Sequence, residues 1–187
     1  RTMQTHRISA KKTIRTGIVG TGFSATFHYE AICKVYGTNV EVVGVHTIDA
    51  ASGQAFAAAR GLRFFDRLEA LLDEVEAVHV CTPPYAHERV AVAALERGTH
   101  AICEKPLTGY FGDGSPDFHW DRRDKEAARQ AALASVERIL EAEARSPARL
   151  LYAENWVYAP SIRKECEILE KTGAQVLWIH GEEAHSG

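Results

Sequence analysis

Short apolar runs alternate with helical patterns along this 187-residue chain from residue 14 onward, and this alternation restricts its fold more than any other feature. The runs lack the polar–apolar alternation of a half-exposed strand, so helices should cover both faces of the sheet that they form. Strands joined by helices in this way predict an α/β fold with a doubly wound parallel sheet. The predicted strands are Ile14–Val19, Val40–His46, Leu62–Phe65, Ala77–Cys81, His100–Cys103, Leu150–Ala153 and Gln175–His180.

The segments between these strands predict helices that each turn an apolar stripe toward the sheet. After a first helix that follows Gly22, the predicted helices are Ala50–Arg60, Leu68–Leu72, Ala86–Arg97, Lys125–Arg145 and a last one from Pro160 to a capping Gly173. The stripe predicted for the first helix is Phe23, Phe27, Ala31 and Val35, and Gly37 should end that helix. The last two helices should bury Leu133, Val136 and Leu140, and Ile162, Cys166 and Leu169.

The chain is expected to hold one whole domain and the beginning of another. Residues 1–12 are predicted to be a disordered leader, residues 13–155 the first domain, and residues 156–187 the truncated start of a second α/β domain. The segment from Gly109 to Asp124 is rich in glycine and aromatic residues and should be a loop. Two roles are open for this loop, a lid that stacks on a ligand and a contact with a neighbouring subunit.

The overall charge argues against two classes of partner. A formal net charge of -3 and a pI near 6.3 do not provide the positive field that a nucleic acid or an anionic membrane surface requires. The longest apolar runs are too short to cross a bilayer. The 4 cysteines are scattered without a CxxC pair, so no disulfide framework and no metal site are expected. We therefore expect a reduced, soluble, cytoplasmic protein.

A glycine-rich turn directly after the first strand carries the strongest functional signal. Gly20-Thr21-Gly22-Phe23-Ser24-Ala25 fits the pattern GxGxxG/A and opens the first helix. Gly20 permits the tight turn, Gly22 lets backbone amides approach a pyrophosphate, and Ala25 lets helix and strand pack closely. The amides at the start of the helix would then hold the phosphates of a dinucleotide. A glycine-rich turn needed only for packing is the alternative interpretation, and the strand–turn–helix placement argues against it.

The end of the second strand leaves the choice of cofactor open. A carboxylate that would hold the ribose of NAD is expected there, but His46, Thr47 and Ile48 occupy the strand end. Thr47 can hydrogen-bond ribose hydroxyls, and no arginine adjoins it to meet the 2′-phosphate of NADP. This composition favours NAD and leaves NADP open.

Four motifs together resemble one family of enzymes. Gly17–His28, Cys81–His87, Ala93–Gly98 and Glu104-Lys105-Pro106 stand in the order and spacing of the glucose–fructose oxidoreductase, inositol dehydrogenase and rhizopine-catabolism (Gfo/Idh/MocA) oxidoreductases. The likeness covers about residues 13–182 apart from the loop. It implies a Rossmann domain followed by a substrate domain with a large open sheet. It also implies hydride transfer between NAD(P) and a secondary alcohol of a sugar, inositol or related polyol, in a homo-oligomer built through the second domain.

The resemblance also implies roles for individual residues. Lys105 falls on the active-site lysine, which contacts the reacting hydroxyl and assists proton transfer. Glu104 and His87 would lie near the nicotinamide ribose, and Thr82-Pro83-Pro84 would cover the ribose and pyrophosphate side. Asn155 would position substrate or cofactor. With these residues, the expected cofactor contacts are Gly20, Thr21, Gly22, Phe23, Ser24, Thr47, Thr82, Pro83, Pro84, His87, Glu104 and Lys105.

Two departures from the family pattern limit this carry-over. The family continues Asn-Tyr-Arg where this chain has Asn155-Trp156-Val157, so the role of that arginine does not transfer. The Asp-x-x-x-His helix that supplies a second proton-transfer group has no counterpart in residues 1–187. A fragment of a dehydrogenase, inactive alone, is therefore the leading hypothesis, and a non-catalytic dinucleotide-binding or regulatory module is the alternative.

Overall fold

A computed structural model describes residues 12–111, 119 and 124–182. It contains one six-stranded sheet, and all of its paired strands run parallel. The strands are β1 (Thr13–Val19), β2 (Asn39–His46), β3 (Arg63–Phe65), β4 (Ala77–Val80), β5 (His100–Glu104) and β6 (Leu150–Ala153). The helices are α1 (Phe23–Ile32), α2 (Ala50–Ala58), α3 (Leu68–Leu72), α4 (His87–Glu96), α5 (Lys125–Ala144) and α6 (Pro160–Thr172).

The strand order β3-β2-β1-β4-β5-β6 makes this a Rossmann-type doubly wound sheet, as the sequence predicts. The chain moves outward from β1 to β3 and then returns to place β4 on the other side of β1. Val19, at the end of β1, pairs with His46 of β2 and Val80 of β4, so the carboxyl ends of these three strands meet. In open α/β sheets the ligand crevice forms at such a reversal of strand order.

Separate apolar clusters cover the two faces of the sheet. Side chains of α1 and α2, including Ala25 and Phe56, pack with Ile18 and Val45 of the sheet. Side chains of α3, α4 and α5 form the larger cluster, on the other face of the sheet. They pack with the strand residues that point to that face, because successive strand residues point to opposite faces. Helices on both faces account for the apolar, non-alternating strands.

The predicted apolar stripes are wrong for three helices. In α1, Phe23 and Phe27 are 85% and 63% exposed, and the buried residues are Ala25 and Ile32. This helix also ends at Ile32, before Gly37. A glycine-rich turn brings α1 close to the sheet, so a small residue and not a phenylalanine fits against the strands.

The stripes of α5 and α6 also differ from the prediction. Helix α5 buries Ile139 and Ala142, whereas Leu133 and Leu140 are exposed. A run of alanines lets more than one stripe satisfy the helical period, and contact with α4 selects the one that is used. Helix α6 has no buried residue; Ile162 and Cys166 are exposed.

The predicted strand Gln175–His180 is also wrong, because these residues do not form a strand. A strand needs a partner to satisfy its backbone groups, and among the described residues none pairs with this segment. Leu177, Trp178 and Ile179 are largely exposed. The predicted leader, apart from Lys12, and most of the predicted loop after Phe111 lie outside the described residues.

The chain divides into two compact units, Arg1–Ala153 and Glu154–Gly187. The first contains the sheet and the second contains α6. None of the helices in the described part of the chain is both long enough and apolar enough to cross a membrane.

We expect Leu71→Ala to lower the free energy of unfolding by about 2–5 kcal/mol, because the side chain is fully buried and leaves a cavity. Urea denaturation followed by circular dichroism measures the change. Leu133→Ala is the matched control, since Leu133 is 44% exposed and should cost less than about 1 kcal/mol. Equal losses in the two variants would contradict the core described above.

Candidate dinucleotide site

A crevice of about 690 Å³ lies at the carboxyl ends of β1, β2, β4 and β5. Its volume is in the range of small-molecule and cofactor sites. The structure brings together most of the residues that the sequence singled out. Those that line the crevice are Gly20, Thr21, Gly22, Phe23, Ser24, Thr47, Thr82, Pro83, Pro84, Glu104 and Lys105.

The two glycines of the turn have different physical roles. Gly20 has φ of +110°, and a Cβ there would lie 2.3 Å from the carbonyl oxygen of Cys81. Only glycine fits at this approach of β1 to the end of β4. A Cβ on Gly22, in contrast, would meet nothing within 4 Å. The space beside Gly22 is open crevice, as required if a phosphate group approaches the backbone there.

The start of α1 presents amides that no side chain caps. The N-cap residue is Gly22, which has no side chain that could accept a hydrogen bond from the helix amides. Helix α2 differs, because Asp49 accepts hydrogen bonds from the amides of Ala51 and Ser52. The positive end of the α1 dipole therefore faces the crevice without a protein anion at its cap, which is a suitable place for a phosphate.

Thr82 provides a second sign that the crevice fits a polar ligand. Its Oγ1 is buried and has no hydrogen-bond partner among the described residues. A buried hydroxyl without a partner is costly unless a ligand or solvent satisfies it. Thr82 lies two residues after the end of β4, where the ribose and pyrophosphate side of a dinucleotide is expected. The open glycine, the uncapped helix and this hydroxyl all fit such a cofactor.

His87 was predicted to contact the cofactor, but it lies behind the crevice wall and is 1% exposed. Its Nδ1 lies 3.0 Å from the carbonyl oxygen of Pro106, and its Nε2 lies 2.9 Å from that of Thr82. The ring thus spans the loops that follow β4 and β5. In this structure His87 holds the two loops together and does not line the space between them.

Glu104 and two histidines form a hydrogen-bonded chain that sequence reasoning missed. The Nε2 of His28 lies 3.0 Å from Oε1 of Glu104, and its Nδ1 lies 2.8 Å from Nδ1 of His79. Oε2 of Glu104 accepts the backbone N–H of Lys105 at 3.0 Å. The side chains of His28 and Glu104 are only 14% and 19% exposed. His28 is 51 positions from His79 and 76 positions from Glu104 in the sequence, so no helix or strand period relates these residues.

Arg89 also lines the crevice, and the sequence did not predict this. The prediction considered only residues next to the end of β2, whereas this arginine comes from α4. A guanidinium in the crevice is compatible with a phosphate, so NADP stays open beside NAD. Asn155 belongs to the second unit, in a 3₁₀ turn over Asn155–Tyr158, and its proposed role stays a prediction.

The two buried cysteines of the first unit, Cys81 and Cys103, are unsuited to nucleophilic chemistry. Burial raises the pKa of the Cys81 and Cys103 thiols to about 12, with the charge of Glu104 as a further cause. A thiol in this state is not a thiolate at neutral pH. Within the described ranges, no group of three or more histidine, cysteine, aspartate or glutamate side chains is arranged to hold a metal ion.

We expect His79 to make folding sensitive to acid. Burial, and next the neighbouring His28, lower the pKa of His79 from 6.5 to about 4. The unfolded chain therefore takes up a proton at His79 that the folded chain refuses, and stability falls as the pH drops from 6.5 toward 4. The loss attributable to His79 is on the order of 3 kcal/mol across this window.

Urea denaturation of the wild type and of His79→Leu, at neutral pH and near the lower end of the window, measures this difference. The variant should lose less stability on acidification than the wild type does. Equal losses would show that His79 stays neutral in both states or is protonated in both.

The comparisons with known proteins agree with this geometry. A family model described as an oxidoreductase family with an NAD-binding Rossmann fold, Gfo/Idh/MocA, matches residues 14–115. The chain is 32% identical over 93 residues to glucose-6-phosphate 3-dehydrogenase of Bacillus subtilis, covering 50% of this chain and 26% of that protein. It is 39% identical over 97 residues to inositol 2-dehydrogenase of Leifsonia xyli, covering 51% of this chain and 28% of that protein.

A solved structure gives the same result over more of the chain. The UDP-N-acetylglucosamine 3-dehydrogenase of Acidithiobacillus ferrooxidans superposes with a TM-score of 0.61 at 26% identity, covering 84% of this chain and 43% of that one. The chain thus spans less than half of this relative and about a quarter of the two curated ones. Because the family match contains the crevice from Gly20 to Pro106 and exceeds half of the chain, this protein belongs to the Gfo/Idh/MocA family of NAD-binding oxidoreductases.

Proposed function

We propose that this chain is the cofactor-binding part of a dehydrogenase that transfers hydride between NAD(P) and a secondary alcohol of a sugar, inositol or related polyol. The observation that carries the proposal is the crevice with an uncapped α1 on one wall and Glu104-Lys105 on the other. The relatives named as glucose-6-phosphate and inositol dehydrogenases support the substrate class.

The residues of the crevice would hold a dinucleotide in the following way. The start of α1, where Gly22 leaves space, would bind its pyrophosphate. Thr47, at the end of β2, would bind the adenosine ribose, since that strand end binds the ribose in sheets of this topology. Glu104 and Lys105, on the other side of the strand-order reversal, would face the nicotinamide. When bound, the cofactor supplies the hydride acceptor or donor.

The protein's own contribution is positioning and proton transfer. Glu104 accepts the amide of Lys105, which fixes the backbone from which the lysine side chain extends. Lys105 is proposed to bind the reacting hydroxyl and to exchange a proton with it as hydride moves. Thr82 Oγ1 is proposed to gain a ligand hydrogen bond on the ribose side.

Gly22→Asp is the sharpest test of the pyrophosphate site. The new carboxylate would cap α1, as Asp49 caps α2, so we expect unchanged or slightly higher stability. The same carboxylate would occupy the anion site, so the Kd for NADH should rise at least about tenfold, the loss of one charge-assisted hydrogen bond. Titration of the 187-residue chain with NADH and with NADPH, followed by nicotinamide fluorescence, measures both affinities.

Gly181→Asp is the control, because it makes the same charge change at a glycine that also has open space around it and is not among the residues that line the crevice. It should leave both affinities unchanged. Wild-type affinity in Gly22→Asp, or no binding by the wild-type chain, would refute the proposed site.

Lys105→Met tests the proposed catalytic role of this lysine. The protein to assay is the one expressed from the whole reading frame that encodes this chain. NADH formation with a panel of sugars and inositols should fall by about a hundredfold or more in kcat, as expected when a general acid–base group is lost. NADH affinity should remain, which distinguishes loss of chemistry from loss of the site. Turnover by the variant at the wild-type rate would reject Lys105 as the catalytic residue, and binding without turnover of any polyol would favour a regulatory module.

A further inference from the structure

The hydrogen-bonded chain of His79, His28 and Glu104 fixes which nitrogen of His28 carries a proton. A bare Nε2 would direct its lone pair at Oε1 of Glu104 across 3.0 Å, which is repulsive. We therefore assign a hydrogen to Nε2 of His28, which donates to the carboxylate. The two Nδ1 atoms of His28 and His79 must share the one hydrogen that lies between them.

His79 can serve this arrangement whether His28 is neutral or cationic. If His28 is neutral, His79 donates from Nδ1; if His28 is an imidazolium, His79 accepts there. In both cases His28 keeps its donation to Glu104. The low pKa of His79 agrees with its staying uncharged near neutral pH. The pair is therefore a fixed donor aimed at one carboxylate oxygen.

Both carboxylate oxygens of Glu104 are fixed by hydrogen bonds at the crevice. One oxygen accepts from His28 and the other accepts from the amide of Lys105. Other charged side chains that line the crevice are Asp49, Arg89 and Lys105. Asp49 is on the β2 side, Arg89 comes from α4, and Lys105 directly follows Glu104 at the β5 end.

We propose that Glu104, positioned by His28 and His79, makes the crevice prefer the oxidised dinucleotide, whose nicotinamide ring is positively charged, over the reduced one, whose ring is neutral. This inference rests on the proposed function, because it places the nicotinamide at the β5 end. Glu104 attracts the ring only in its oxidised state, whereas the phosphates and adenosine are identical in both states. The preference is therefore measured by the ratio of the Kd of the oxidised dinucleotide to the Kd of the reduced one.

The test measures the Kd of NAD⁺ and of NADH on the wild-type chain and its variants by calorimetry. Glu104→Gln should shift the ratio toward NADH by about three- to tenfold, as expected for one charge removed at a partly shielded site. Lys105→Met should shift it in the opposite direction. Glu41→Gln removes a carboxylate from the amino half of β2 and should leave the ratio unchanged.

Paired variants of the histidines test positioning apart from folding. His28→Leu removes the donor to Glu104 and should move the ratio part of the way toward the Glu104→Gln value. His28→Gln places an amide N–H near the Nε2 position and should restore it. His79→Leu should have a smaller effect in the same direction, and His79→Asn, which keeps a polar group near Nδ1, should restore the ratio.

The outcomes distinguish a failure of the proposed function from a failure of the electrostatic selection by Glu104. If the wild-type chain binds neither dinucleotide, the proposed function fails and this inference fails with it. If the chain binds both and Glu104→Gln or His28→Leu leaves the ratio at its wild-type value, the proposed function stands and the electrostatic selection is wrong. If Glu104→Gln shifts the ratio but the histidine variants do not, the two histidines are not positioning residues.

Discussion

The close approach of β1 to β4 at Gly20 is the constraint on which the site depends. A side chain at this position would collide with the carbonyl of Cys81, and the positive φ of the glycine turns the chain sharply into α1. Two consequences follow from the one contact. The strand order reverses without a gap in the sheet, and the first amides of α1 point over the strand ends at which Thr82 and Glu104 also lie.

Much of the first unit could be predicted because its signals are local. Each strand was identified within a few residues, since a strand covered on both faces must be a short apolar run. The turn could be predicted because only glycine fits the positive φ at Gly20 and the close approach to Cys81 there. The segment at Gln175–His180 shows the limit of this reasoning: an apolar β-branched run indicates the capacity to form a strand, but pairing requires a neighbour.

Features that depend on tertiary packing were not accessible in the same way. The buried face of α1 follows from the depth at which the helix sits, which favours Ala25 over Phe23 and Phe27. His79 reads as one polar residue in an apolar strand, and nothing in the sequence pairs it with His28. His87 was placed at the cofactor by resemblance, whereas its ring joins two loop carbonyls from behind. Arg89 lines the crevice from α4, whereas the prediction considered an arginine only at the end of β2.

The contrast among the cysteines has a practical consequence for chemical labelling. Cys33 and Cys166 are exposed, whereas Cys81 and Cys103 are buried and remain thiols far above neutral pH. Alkylating reagents react with the thiolate, so a maleimide dye at neutral pH would attach at the exposed pair and spare Cys81, whose backbone carbonyl adjoins Gly20. One exposed cysteine lies in each compact unit, so donor and acceptor dyes can report the distance between the units while the crevice is unmodified.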